Sequence, residues 1–230
     1  MNLLAFDTSS AGTLVVAQRS DGAIAERRHA PSGGERPAHT TLGFPLAAEA
    51  LADLGLRWDD LARIGVGTGP GSFTGLRAGI SAAAGLARRL DVPLIGSTAT
   101  AILAAGAQAA AEQRTVLAVV DGRRREVFVE RWAAGEGAGI QVFRRPELAD
   151  TLGTVDGWLA IGDGALLERE ALLGLGADVP EPGDPLHQLG GAALAALTAA
   201  GAPTSADDVR PTYGRAADAV PTAQRDGATS

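Results

Sequence analysis

Three aspartates, Asp7, Asp121 and Asp163, each close an apolar run: "LLAFD", "VLAVVD" and "WLAIGD". An acid at a strand end beside small residues is how a two-lobed nucleotide enzyme holds a metal ion or a water near phosphates. Asp also accepts hydrogen bonds in ordinary turns, its commonest task, and taken singly each of the three reads that way. The other reactive side chains are few. His29, His39 and His187 are the only histidines, no two stand at the helical spacing of a metal pair, and surface positions are expected for all three. The absence of cysteine removes disulfides, thiolate metal sites and a Cys nucleophile. Ser72 lacks the nucleophile-elbow pattern around it. Arg123, Arg124 and Arg125 read as a solvated hairpin turn, with a modest anion contact as the functional alternative. On chemistry alone there is no competent catalytic set.

The segment "GTGPGSFTGLRAGI", Gly67 to Ile80, is the least ordinary stretch. A glycine-rich loop opening onto a helix can aim backbone N–H groups at an anion, here through Gly69, Gly71, Ser72 and Phe73. A Walker loop would need Gly-Lys-Ser/Thr, and the chain contains no lysine. A dinucleotide loop would follow the first strand and precede a ribose-binding acid, and neither context is met. Ser72 or Thr74 would serve equally well as the N-cap of the helix that follows. Read by its residues, the loop is a structural turn before a phosphate site.

The elements around these residues are legible from periodicity. Strands are expected at Leu3–Asp7, Thr13–Arg19 and "AIAERRH", with Asp21-Gly22 as a hairpin turn, then a polar loop through Pro31, Gly33, Gly34 and Pro37. A helix over Thr40 to Leu54 carries Leu42, Leu46, Ala50 and Leu54 along one stripe. Asp59 and Asp60 cap a short turn before the strand "RIGVGT". Thr74 to Leu90 reads as a helix with unusually small faces, followed by the strand "VPLIG" and the Ala-rich helix "TATAILAAGAQAAAE". At Thr115 the opening pattern recurs: "TVLAVVDGRRREVFVERW" repeats the strand, terminal Asp, turn and strand of "LLAFDTSSAGTLVVAQR". A strand in "GWLAIGDGA" and a terminal helix near Leu186 to Ala200 complete an α/β chain of two similar lobes, with a disordered tail expected after Arg215.

Composition bounds the rest. With 230 residues, 46% hydrophobic and 20% charged, the chain can bury a real core, and at 4% aromatic that core must be aliphatic. A formal charge of −7 makes it a poor nucleic-acid binder by itself, because phosphate neutralisation supplies most of such affinity. The opening lacks a basic n-region, no apolar run approaches membrane-spanning length, and a cytoplasmic location is expected.

The glycine segment closely resembles the hallmark segment of the TsaB (YeaZ) family. "LLAFDTSS", "AHTTLGFPLAAEAL", "VPLIGSTA", "VLAVVDGRRREVFV", "AIGDGA" and "VRPTYGR" resemble further family segments in order and spacing, so the likeness covers most of the chain. The resemblance implies an actin/Hsp70/sugar-kinase-like two-lobed fold with a degenerate second lobe, the first lobe spanning 1–100, the second 101–215, and a tail 216–230. It implies a subunit that is not itself an enzyme and pairs with a TsaD-type catalytic partner in the threonylcarbamoylation of adenosine beside the anticodon of ANN-decoding tRNAs. Further members of the complex, such as a TsaE-type ATPase, follow from the same resemblance; a third reading is a homodimeric binding module, the same helices self-associating when the partner is absent. The catalytic relative carries a His-x-x-x-His metal pair where this chain reads "STATAILA", so no metal is expected here. The turn "DTSSAGT" lacks the Asp-x-Gly phosphate turn of ATP-using members, and Gly214 stands where a larger apolar residue belongs. No cofactor is expected beyond ATP or ADP at the junction with the partner. The interface implied uses the two early helices, through Leu42, Leu46, Thr74, Arg77, Ala78, Ser81 and Ala82. The competing reading is a stand-alone ATP-dependent enzyme of the same superfold, kinase or peptidase-like.

Overall fold

The computed structural model describes residues 1–31, 39–111 and 113–213. Most of the expected polar loop (Gly33, Gly34, Pro37), Gly214 and the tail lie outside them.

"LLAFD" has no polar alternation because both faces of its strand are covered. This strand, β1 (Leu3–Asp7), sits at the centre of a five-stranded sheet. It pairs antiparallel with β2 (Thr13–Gln18), which pairs antiparallel with β3 (Ile24–His29). On its other side lies β4 (Arg63–Gly69), parallel to it, and β5 (Leu94–Thr98) follows, parallel to β4. The parallel steps require crossovers, supplied by helices α1 (His39–Asp53) and α2 (Phe73–Leu90). Both lie on one face, where Leu4, Phe6, Val15, Ile64 and Val66 meet Ala47, Ala50 and Leu51 of α1 and Ile80, Ala83 and Ala87 of α2. The buried stripe of α1 is Ala47, Ala50 and Leu51, continued by Leu54 just past its end; Ala50 and Leu54 are buried as expected, while Leu42 and Leu46 stand at the half-buried edge.

The second sheet repeats the first in a shortened form. Strand β6 (Val116–Arg123) pairs antiparallel with β7 (Glu126–Ala133), which pairs antiparallel with both β8 (Glu136–Gly137) and β9 (Gln141–Arg144). Strand β10 (Leu159–Ile161) lies parallel to β6, as β4 lies parallel to β1. Among the described residues no strand corresponds to β5. The local helices α4 (Leu148–Leu152), α5 (Asp163–Leu167) and α6 (Arg169–Gly174) are one or two turns each. These short pieces are the physical content of the degenerate second lobe.

Helix α3 (Ala99–Ala111) joins the lobes and serves both cores. Leu103, Ala104 and Ala107 pack on the second sheet with Val116, Ala118 and Val120, while Ile102 packs with Leu3, Ala5 and Leu14. The chain then returns to the first lobe. Helix α7 (Gly191–Ala200) covers the second face of the first sheet, and the Arg63 guanidinium donates to the carbonyls of Thr198, Ala199 and Gly201 at its C-terminal end. A final strap follows: Thr204 bridges to Leu94, Val209 enters the first core, and Thr212 N–H donates to Thr68 O at 2.7 Å. Among the described residues no helix is long and apolar enough to cross a membrane.

Candidate functional site

The three aspartates converge. A cleft of about 300 Å³ between the lobes is lined by Asp7, Asp121 and Asp163, together with Ser9, Ser72, Arg28, His29, Arg123 and His187. Asp7 is the deepest, 1% exposed at the end of β1. Its Oδ1 accepts from Ser9 N–H at 2.9 Å and from Ser9 Oγ at 2.8 Å, while its Oδ2 is buried without a hydrogen-bond partner among the described residues. Burial pushes its carboxyl up from the ordinary 3.8 to about 6, against the opposing pull of the Ser9 hydrogen bonds and the more distant Arg28 charge. Asp163 opens α5 and its Oδ1 accepts from Asp121 N–H at 2.9 Å. Burial raises its carboxyl too, the Asp121 N–H opposing and the Asp121 charge adding to the rise. Three acids facing one cleft disfavour a polyphosphate there unless a cation accompanies it.

His187 corrects the expectation of a surface histidine. It is buried with its ring nitrogens beside two carbonyl oxygens, Gly162 O at 3.1 Å and Pro180 O at 3.0 Å, and the single N–H of a neutral ring donates to one of them. His29 stands at the cleft from the end of β3. His39 is the first residue of α1, and its side chain lies outside the described residues. Among the described residues no group of three His, Asp or Glu is arranged to hold a metal ion.

The glycine segment is explained by close approach. Where β4 runs beside β1, a methyl group on Gly67 would overlap Asp7 Oδ2, and one on Gly71 would overlap the Ser9 carbonyl oxygen. That carbonyl accepts from Ser72 N–H at 2.6 Å, and Thr8 Oγ1 donates to Gly75 O at 2.8 Å. Ser72 is the N-cap, its Oγ accepting from Gly75 N–H, so α2 begins at Phe73 and Thr74 is no cap. The glycines thus seat the β1–β2 turn against the first turn of α2. Two amides of that turn are already bonded: Ser9 N–H goes to Asp7 and Gly12 N–H to Ser10 Oγ. Gly69 and Phe73 do not line the cleft; Ser72 does.

Helix α2 presents an outward strip of Phe73, Thr74, Arg77, Ser81 and Gly85, with Ala78 and Ala82 half-buried along its edge. Beside it, Leu46 of α1 packs on the core, and the large apolar group that α1 exposes is Phe44, at 42%. Phe44 holds its place by edge contacts with Phe6 and Trp58, centroids 6.2 Å apart in each case. At the N-terminal end of α2, Phe73 stacks on Tyr213 of the strap at 5.2 Å. Arg77 lies over the Phe73 ring at 4.0 Å and donates to Tyr213 Oη. The sequence reading passed over Phe44 and Tyr213. Phe44 stands off the core stripe between Gly43 and Pro45, and that displacement was the available signal; nothing local marked Tyr213.

The arrangement matches known proteins along most of its length. The family model for TsaD, tRNA N6-adenosine threonylcarbamoyltransferase, matches residues 23–137. The Escherichia coli protein named tRNA threonylcarbamoyladenosine biosynthesis protein TsaB is 31% identical over 172 residues, which cover 71% of this chain and 72% of that protein. A Pseudomonas aeruginosa crystal structure, described as similar to peptidase YeaZ, superposes with a TM-score of 0.74 at 25% identity, over 93% of this chain and 99% of that one. Component A of the Acidaminococcus fermentans (R)-2-hydroxyglutaryl-CoA dehydratase shares the fold alone, with a TM-score of 0.53 at 15% identity over 86% of this chain and 96% of its own. Two meander sheets joined through a cleft are the actin/Hsp70/sugar-kinase-like architecture, and within it this chain belongs to the TsaB (YeaZ) family.

Proposed function

We propose that this protein is a non-catalytic subunit in tRNA threonylcarbamoyladenosine synthesis. It pairs with a TsaD-type transferase and holds that enzyme in its active arrangement. The supporting observation is the exposed face of α1 and α2, bounded by small residues and by Phe44 and Phe73. Short side chains at Ala78, Ser81, Ala82 and Gly85 allow a partner helix to approach closely, and the two phenylalanines supply apolar area. Binding that face only in the partner's competent conformation shifts the partner's population toward it.

The cleft of this subunit takes no nucleotide by itself. Its three acids outnumber the Arg28 and Arg123 guanidinium groups that share the cleft, and Ser9 N–H and Gly12 N–H of the β1–β2 turn are bonded to Asp7 and Ser10. Any ATP or ADP belongs at the junction with the partner, and a TsaE-type ATPase joins the assembled pair.

The test is reconstitution. The subunit is co-purified with the transferase, and modification of an ANN-decoding tRNA is assayed with each protein omitted in turn. Activity that requires both, with no ATP turnover by this chain alone, supports the proposal. Saturable ATP hydrolysis by the isolated chain would replace it with the stand-alone enzyme.

A further inference from the structure

The turn between β6 and β7 carries backbone that its residues disfavour. Arg123, Arg124 and Arg125 stand in succession at φ +60°, +48° and +66°. Left-handed backbone crowds a Cβ against the following carbonyl, and turns of this hand are ordinarily built from Gly, Asn or Asp. All three arginines are exposed, so no core packing repays the strain. A second segment brings more cations to the same end of the sheet. Arg144 of β9 is in register opposite Glu126, and Arg145 N–H donates to Arg125 O at 2.9 Å.

The counter-charges lie largely beneath. Asp121 pairs with Arg123 at 3.0 Å, the acid 15% exposed against 62% for the arginine. Glu168, which pairs with Arg145, is 10% exposed. Arg144 faces Glu147 at 3.9 Å with both side chains in solvent, a loose pair that a stronger anion displaces. In a chain of net charge −7, this rim presents guanidinium groups outward and keeps two of its carboxylates inward. Of the turn, only Arg123 reaches the acidic cleft. A small anion inside the cleft would therefore miss Arg124 and Arg125, whereas an extended polyanion crossing the rim can engage several forks at once.

We infer that the Arg123–Arg125 turn, with Arg144, is a contact for RNA phosphates: a second hold on the tRNA while the transferase carries the main one. This rests on the function proposed above, and the isolated chain remains a weak RNA binder because its net charge opposes the contact.

The experiment uses the full chain in complex with its transferase and an unmodified ANN-decoding tRNA transcript, with anisotropy titrations from about 50 to about 200 mM salt. The variant is Arg124→Asn with Arg125→Gly, which removes two cations and relaxes the backbone, so it folds at least as well as the parent. The slope of log K against log salt should shallow by about one to two, with affinity at the low-salt end falling several-fold, while affinity for the transferase is unchanged. The control Arg124→Lys with Arg125→Lys should retain the parental slope. An unchanged slope in the Asn/Gly variant overturns the inference, and so does a loss confined to transferase binding, which would make the rim a protein contact. If the parent chain neither binds the transferase nor supports modification, the function proposed above fails, and this inference with it.

Discussion

Replacing Asp7 by Asn should stabilise the protein at neutral pH and not in acid. The Asp7 carboxyl is buried, its Oδ2 has no hydrogen-bond partner among the described residues, and its pKa stands at about 6 instead of 3.8. The folded state therefore holds the proton more tightly than the unfolded chain does. The associated stability is fully present below about pH 4 and is lost as pH rises through about 6. Above that, keeping the carboxylate ionised in place costs about 3 kcal/mol, from about two pH units at 1.36 kcal/mol each. Asparagine never carries the charge. Its oxygen can keep the Ser9 hydrogen bonds, and its amide would stand at the Oδ2 position, where unmet N–H groups cost about 1 kcal/mol at every pH. The variant should be slightly less stable than the parent near pH 4 and about 2 kcal/mol more stable near pH 8. For a chain of this size, the difference in melting temperature should change by about 6–12 °C across that range. Thermal unfolding of both proteins at several pH values measures it, and the raised Asp163, common to both, cancels on subtraction. A difference that stays constant with pH would show that Asp7 carries no such burden.

Gly67→Ala should cost about 3 kcal/mol or more in chemical denaturation, because its methyl overlaps Asp7, whereas Gly85→Ala on the open face of α2 should gain about 0.5–1 kcal/mol. Ser81→Arg, at an exposed position, should keep the parental melting temperature and abolish co-purification with the transferase, and half-buried Ala82→Arg should do the same with at most about 1 kcal/mol lost; a soluble variant that still binds and supports modification would place the interface elsewhere. Elemental analysis of protein purified without a histidine tag should find substoichiometric zinc and iron.

The longer elements were legible because their periods are long enough to read. The meander through β3, the helices α1 to α3 and the pair β6–β7 all lie within a few residues of their expected ends. The second sheet's repeat of the first was also visible, since "LLAFD" and "VLAVVD" carry the same apolar run and terminal acid. Strands β8 and β9 and helices α4 to α6 were missed, being two to six residues long and too short to establish any period. The site was half legible. Asp7 ends its strand as expected, and Asp121 and Asp163 fall within two residues of theirs, but their convergence depends on how α3 sets one sheet against the other. The meaning of Gly67 was hidden because its partner, Asp7, is sixty residues earlier and comes near only through the parallel pairing of β1 with β4. His187 was misplaced for a similar reason: the carbonyls that make its burial tolerable come from Gly162 and Pro180.

The closed turn and the exposed helix are two sides of one arrangement. To offer Ser9 N–H or Gly12 N–H to a phosphate, the β1–β2 turn would have to release them from Asp7 and Ser10. Releasing Ser9 would also disturb its carbonyl, which receives Ser72 N–H at the N-cap of α2, and Thr8, which holds the Gly75 carbonyl one turn later. A turn that opened for a nucleotide would therefore loosen the first turn of α2, where Phe73, Thr74 and Arg77 stand. Those residues begin the strip proposed above as the partner's contact, and a partner helix is best met by a strip that is already rigid. Glycine at 67 and 71 permits the contact, serine at 9 and 72 completes it, and the unmet Oδ2 of Asp7 is its remaining cost. The bonds that hold Ser9 and Thr8 in the β1–β2 turn also hold the first turn of α2 in place.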